Sequence, residues 1–342
     1  MSNNSGAAGK FISINNFLER FMPLLAPTGV VLGVLLPVFF IEFRPYITLI
    51  FGVITFTGAL KLKVRELALA VRNPLPIIFF LLSAHVIMPV TILFLSSLFF
   101  GNDPETISGY VLVYSAPTAV SGFIWVSIFR GDPALILALI LIDTILAPIV
   151  VPGTVRLLLG TEITMNMTGM AVSLIYMIVI PTIIGVALNE LSKGFIPRKV
   201  SPYLGPFSKV CLVLVICANC AAISGQIDLR NPHIWLIGAV CIAFAVLSFS
   251  LGRLTGLICK RLGFTGGYGR EREISMFFAS GFRNTSAAMT LAIDFFPGPA
   301  ALPTILGIMF QQVICAMMGK LYLGKTHAEK RPEGQSIKPA KK

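Results

Sequence analysis

Apolar runs of about 20 residues follow one another along nearly the whole chain, joined by short polar segments. That is the length an α-helix needs to cross the hydrocarbon core of a bilayer. The runs are continuous and do not alternate polar with apolar, which excludes a transmembrane β-barrel. The pattern predicts about ten spans, at 21–40, 45–61, 74–100, 107–129, 133–159, 168–191, 205–224, 233–258, 273–295 and 299–322. Pro45, Pro74, Pro133 and Pro299 punctuate the joints. Polar segments flank the set, at 1–20 and at 323–342, and the latter is expected to be disordered.

Two runs are interrupted in their middles. The fourth contains Ser115-Ala116-Pro117-Thr118-Ala119-Val120-Ser121-Gly122, and the ninth contains Ser280-Gly281-Phe282-Arg283-Asn284-Thr285-Ser286. Each of these runs ends in a tight turn, Gly131-Asp132-Pro133 or Pro297-Gly298-Pro299, that leads into another apolar run. The interruptions lie about 165 residues apart, so the chain reads as two five-span halves, 21–159 and 160–322. An odd number of spans per half inverts one copy relative to the other. Interrupted helices at matching places in inverted repeats mark the central site of a transporter, because freed backbone groups there can bind a solute. The alternative is that Pro117 and Gly281 only kink packed helices.

Composition agrees with the pattern. The chain is 56% hydrophobic and 12% charged, with mean hydropathy +0.86, whereas soluble domains carry about 25% charged residues. The net charge of +12 does not call for nucleic acid, because its distribution explains it. Of 27 Lys and Arg, 22 fall on the side of the N-terminus and only Arg44, Arg156 and Arg230 on the other. The positive-inside rule then predicts that both termini are cytoplasmic. The first apolar run is too long for a signal peptide, and none is expected. Cys217 and Cys220 are one helical turn apart with no second pair or His cluster, so the six cysteines read as small buried apolar groups.

Arg283 is the costly feature. A guanidinium at the centre of a span costs roughly 2.5–3.5 kcal/mol on insertion scales, so it needs a cavity and a partner.

Several short segments carry a resemblance: Phe56-Thr57-Gly58-Ala59-Leu60-Lys61-Leu62-Lys63, Ile87-Met88-Pro89, Arg130-Gly131-Asp132-Pro133-Ala134-Leu135, Leu146-Ala147-Pro148 and Gly281-x-x-Asn284. In order and spacing they are similar to the bile acid:sodium symporter superfamily in its bacterial ten-helix form, which includes arsenite exporters and organic-anion carriers. The resemblance implies an all-α polytopic membrane protein. Its discontinuous helices 4 and 9 would cross in a core domain, with a panel domain of spans 1, 2, 6 and 7 and rocking between the two. It also implies two bound sodium ions. Aligned on these segments, however, the family's sodium-ligand positions fall on Ala84, Gly122, Phe123, Ile136, Ile140, Ala279 and Arg283. Methyl, phenyl, sec-butyl and cationic groups cannot supply hard oxygen ligands, so sodium coupling of the usual kind, and any other metal or cofactor, is not expected. Phe123-x-Trp125 is shared with the arsenite branch, but that branch's reactive Cys falls on Thr118 and its Glu on Ser286.

Losing a carboxylate and gaining a guanidinium changes local charge in the direction bound cations would. Arg283 is therefore expected to stand as a built-in cation with Asp143 as partner, one turn beyond Ile140; the alternative for Asp143 is a cap or a rim charge. His85 is either a packing residue or a proton carrier. Gln311 and Gln312 are expected to line the cavity, or else to make interhelical hydrogen bonds. Val120 and Ser121 would offer backbone N–H groups to a substrate carboxylate, with Thr118, Ser280, Asn284 and Thr285 completing a polar ring. Lys209 and Asp294 are expected to reach the interfaces, and Asn219 to face the cavity from the panel side. The predicted function is secondary transport of a small organic anion across the lipid bilayer, or ion-uncoupled uniport or export. An enzyme would want paired acidic or His motifs at a membrane face, and a sensor a soluble output domain; neither is expected.

Overall fold

A computed structural model describes residues 4–65, 72–160, 166–228, 230–264 and 269–324. The 323–342 tail expected from sequence lies almost wholly outside them. The described chain is helical, and its segments are labelled here in order: α1 (Asn4–Leu35), α2 (Pro37–Ala59), α3 (Leu75–Phe100), α4 (Pro104–Ser115), α5 (Gly122–Phe129), α6 (Pro133–Leu159), α7 (Met167–Leu191), α8 (Phe195–Ala222), α9 (Pro232–Arg261), α10 (Gly269–Gly281), α11 (Thr285–Phe295) and α12 (Ala301–Leu323). Among the described residues, 7 segments are long and apolar enough to cross a membrane. The chain is a multi-pass membrane protein.

Two boundaries differ from the sequence reading. The first joint falls at Leu36, with Pro37 in the first turn of α2, and not at Pro45. Proline's fixed φ suits a helix start, and Pro45 is carried inside α2 in a 3₁₀ turn, Ile41–Tyr46. The first helix also starts before residue 21: it begins at Asn4 and runs unbroken into the apolar stretch.

α8 packs along α1 and α2, and α7 packs along α2. Elsewhere α9 packs along α10 and α12, and α4 along α3 and α12. Two proline-linked π-bulges alter backbone bonding inside helices. One spans Ser83–Ile87 in α3 and the other Ile175–Val179 in α7. In α3 the Met88 N–H donates to Ser83 O. The next carbonyl, Ala84 O, would look to residue 89, which is a proline without an N–H. That carbonyl is left without a partner in its own helix.

Both interrupted runs are broken where the sequence places the breaks. Ala116 is extended (φ −60°, ψ 151°) because the residue before a proline is pushed out of the helical region. On the other strand of the crossing, α10 ends at Gly281, and Asn284 restarts the chain as the N-cap of α11, its Oδ1 accepting from the Ala287 N–H at 3.2 Å. Gly281 is required by a close approach: a Cβ there would stand 2.0 Å from the Phe249 ring.

Candidate functional site

The two breaks meet as a single antiparallel pair. Ala119 N–H donates to Phe282 O at 2.9 Å, and Asn284 N–H donates to Pro117 O at 2.8 Å. Thr118 and Arg283 lie between these bonds, bridged across the pair. In such a non-hydrogen-bonded position the two side chains project to the same face. Both accordingly reach one carboxylate, that of Asp143 on α6.

Asp143 is fully buried. Its Oδ2 accepts the Thr118 N–H and the Thr118 hydroxyl, each at 2.8 Å, and lies 3.7 Å from Arg283 Nη1. Its Oδ1 lies 2.6 Å from His85 Nε2, on the π-bulge of α3. The Arg283–Asp143 distance is that of an ion pair without a direct hydrogen bond.

Arg283 is 1% exposed, the largest fully buried side chain among the described residues. Its Nη2 donates to two carbonyls, Ala84 O at 3.2 Å and Tyr114 O at 3.3 Å. Both acceptors are products of broken helix. Ala84 O is the carbonyl that Pro89 leaves open. Tyr114 O would take the Thr118 N–H in a continuous helix, but that N–H goes to Asp143. A cation at a helix C-terminus is also favoured by the helix dipole. Nε and Nη1 of Arg283, by contrast, have no hydrogen-bond partner among the described residues. The guanidinium is thus only partly hydrogen-bonded by the protein: Nε, and Nη1 beside Asp143, keep N–H groups without acceptors.

A cavity of about 20 Å³ adjoins it, lined by Tyr110, Tyr114, Arg283, Thr285, Phe310 and Gln311 among others. That is room for about one water. Gln311 Nε2 donates to Arg283 O at 2.6 Å, and its Oε1 accepts from the Thr285 hydroxyl at 3.0 Å. A larger cavity of about 480 Å³ lies elsewhere, between the end of α2 and the α7–α8 turn, among Lys61, Lys63, Glu190, Lys193 and Arg198. It holds none of the groups at the crossing.

The remaining sequence-predicted residues separate into those at the crossing and those turned elsewhere. Asn284 and Thr285 lie at the crossing, and Ser280 is buried beside it with its Oγ unpartnered. The Val120 and Ser121 N–H groups donate to no described residue, and these residues are half-buried. Thr118 is turned inward: its hydroxyl lies 2.8 Å from Asp143 Oδ2 and 3.0 Å from Ala279 O, so it positions the carboxylate and offers nothing to a solute. Gln312 accepts from Trp125 Nε1 at 3.3 Å, an interhelical bond. Asn219 of α8 donates to Thr290 of α11 at 3.0 Å and is 1% exposed. Asp294 pairs with Arg44 at 2.7 Å, and Lys209 donates to Asn15 at 2.6 Å, so both side chains bind neighbouring helices.

The sodium-ligand positions pack as apolar core. Ala84, Ile136, Ile140 and Ala279 belong to one buried cluster, with Phe123 against it. The carbonyls of Ala84 and Ala279 are taken by Arg283 and Thr118. These residues do not fit a sodium ion. Sequence reasoning missed the bond between His85 and Asp143; the available signal was Pro89, four residues after His85, which forces an irregular turn.

Residues 48–228 match the sequence profile of the sodium bile acid symporter family, more than half of the chain. The chain is 39% identical over 302 residues to "Uncharacterized protein YbaS" of Bacillus subtilis (strain 168), covering 87% of this chain and 95% of that protein. It is 24% identical to "Uncharacterized sodium-dependent transporter YocS" of the same organism, over 91% of this chain and 94% of that one. It is 22% identical to the "Arsenical-resistance protein Acr3" of Alkaliphilus metalliredigens (strain QYMF), over 89% and 92%. The chain belongs to the sodium bile acid symporter family, a family of membrane transporters and not of enzymes.

Proposed function

We propose that the chain is a secondary active transporter of a small organic anion, in which Arg283 stands where relatives bind sodium. On this reading the helices make ten crossings in two inverted five-helix repeats. α4–α5 and α10–α11 are the discontinuous fourth and ninth crossings, and α1, α2, α7 and α8 form a panel that rocks against the rest. The membrane is a bacterial inner membrane, with both termini on the cytoplasmic side. The observation that carries the reading is the partly hydrogen-bonded guanidinium. A buried cation whose Nε and Nη1 lack hydrogen-bond partners, beside a small cavity that Thr285 and Gln311 also line, is a site for a carboxylate or similar anion, and the Val120 and Ser121 N–H groups follow the other break. YocS is named a sodium-dependent transporter, yet the apolar packing at the ligand positions argues that this chain works without sodium.

Uptake of a panel of small carboxylates into proteoliposomes, with sodium, with a proton gradient or with neither, tests the reading. Uptake in sodium-free medium that is lost in Arg283→Gln supports it. Strict sodium dependence, or full activity of Arg283→Gln, overturns it. The second reading, an ion-uncoupled uniporter or exporter, is favoured by the same apolar packing and predicts uptake indifferent to every ion gradient.

A further inference from the structure

His85 is buried, 8% exposed, and bonded to one oxygen of Asp143 through Nε2. Its Nδ1 is buried without a hydrogen-bond partner among the described residues. An unsatisfied buried ring nitrogen costs about 1–3 kcal/mol, and a functional site is where such a cost is tolerated. Asp143 holds the ring with Nε2 as the donor whether the imidazole is neutral or charged. Nδ1 is therefore the one atom of the dyad at which a proton can be gained or lost.

The groups facing the ring define the charge of the site. Asp143 comes from α6, with Arg283 and Thr118 from the crossing on its other oxygen. α4 contributes Tyr114, whose carbonyl binds Arg283. α9 presents the Thr255 hydroxyl to the neighbouring Ser83 at 2.9 Å. With neutral His85, the charges of Asp143 and Arg283 cancel. An anion bound at Arg283 leaves the site at net −1, and a proton on Nδ1 alone leaves it at net +1. Either is costly in a low-dielectric interior. Only the empty site and the site holding both are neutral.

We propose that His85 Nδ1 is the binding site of a coupling proton, so that one anion and one proton cross together. This deepens the reading above and rests on it. The proton adds to the Nδ1 lone pair when the site faces one side and leaves to water on the other, with no other bond made or broken. Binding of anion and proton reinforce one another by equal factors, as linkage requires.

The chain has 3 histidines, so ¹⁵N-histidine NMR of the full-length protein in detergent can follow each ring, with His85→Gln assigning the signal. The Nδ1 resonance of His85 is expected to pass from that of a bare to that of a protonated ring nitrogen as the sample is acidified, and to do so sooner in Arg283→Gln, where a nearby positive charge is lost. In the uptake vesicles, an inward proton gradient is expected to raise wild-type uptake several-fold and to leave His85→Gln uptake unchanged. A His85 signal that does not titrate, or one indifferent to Arg283→Gln, overturns the proton site. If the wild type transports without sodium while His85 stays silent, the proton proposal alone fails. If no carboxylate is moved at all, the transporter reading fails with the titration still standing.

Discussion

Thr118 and Arg283 face each other across the antiparallel pair that joins the two broken helices, and both are directed at Asp143. Neither residue could do this from a continuous helix. The break at Pro117 frees the Thr118 N–H for the carboxylate and the Tyr114 carbonyl for the guanidinium. Backbone irregularity and buried charge are therefore parts of one arrangement, each satisfying groups the other leaves open.

Removing the carboxylate should be expensive. Asp143→Asn leaves Arg283 buried without its counter-charge, and breaking a buried pair from one side typically costs about 3–5 kcal/mol. Thermal unfolding in detergent should show a large drop in Tm, and transport should be lost. The double variant Asp143→Asn with Arg283→Gln should recover part of that stability, because the uncompensated charge is gone. Additive losses in the cycle would mean the two side chains are not coupled.

The peripheral pair should behave differently. Arg44 and Asp294 lie 2.7 Å apart but remain partly exposed, at 25% and 35% of their side chains. Such pairs contribute about 0–1 kcal/mol. Asp294→Asn is expected to leave transport intact and to shift Tm little. A loss as large as that of Asp143→Asn would give this pair a role not described above.

Pro89→Ala tests the π-bulge. An N–H at residue 89 can pair with Ala84 O, which removes one acceptor from Arg283 and draws His85 away from Asp143. Transport is expected to fall at least about ten-fold, roughly 1.4 kcal/mol in the rate-limiting barrier, with the protein still folded by size-exclusion chromatography. Unchanged transport would show that the bulge has no part in holding the site.

Gly281→Ala places a methyl inside the Phe249 ring position, with Cβ 2.0 Å from a ring carbon. Overpacking of this kind costs about 1–3 kcal/mol or more. The variant should express poorly or melt early, and Phe249→Leu in the same chain should restore much of the loss. Failure of that rescue would place the strain elsewhere.

Much of this site could be read from residues alone. Pro117, Gly281 and Asn284 announce the breaks because a missing N–H, a missing Cβ and a capping amide each act within a few residues. Arg283 announces a cavity because a mid-membrane charge has no cheap alternative. Asp143 as its partner was reachable from helical register once the resemblance fixed Ile140. The rest depended on packing between distant segments. His85 meets Asp143 across 58 residues of sequence, and a single histidine in an apolar helix carries no mark of its neighbour. Thr118 looked like a solute ligand because a hydroxyl near a break is available in sequence, whereas in the fold it is spent on the carboxylate. The first joint was misplaced because Pro37 and Pro45 both suit a boundary, and only the packing of α2 on α8 decides between them.

The most direct measurement is carboxylate counterflow in proteoliposomes prepared without sodium, comparing the wild type with Arg283→Lys and Arg283→Gln. A fixed cation in place of bound ions predicts full exchange in the wild type, reduced exchange with Lys and none with Gln, with added sodium changing nothing. Exchange that appears only when sodium is supplied, or that survives in Arg283→Gln, would contradict it.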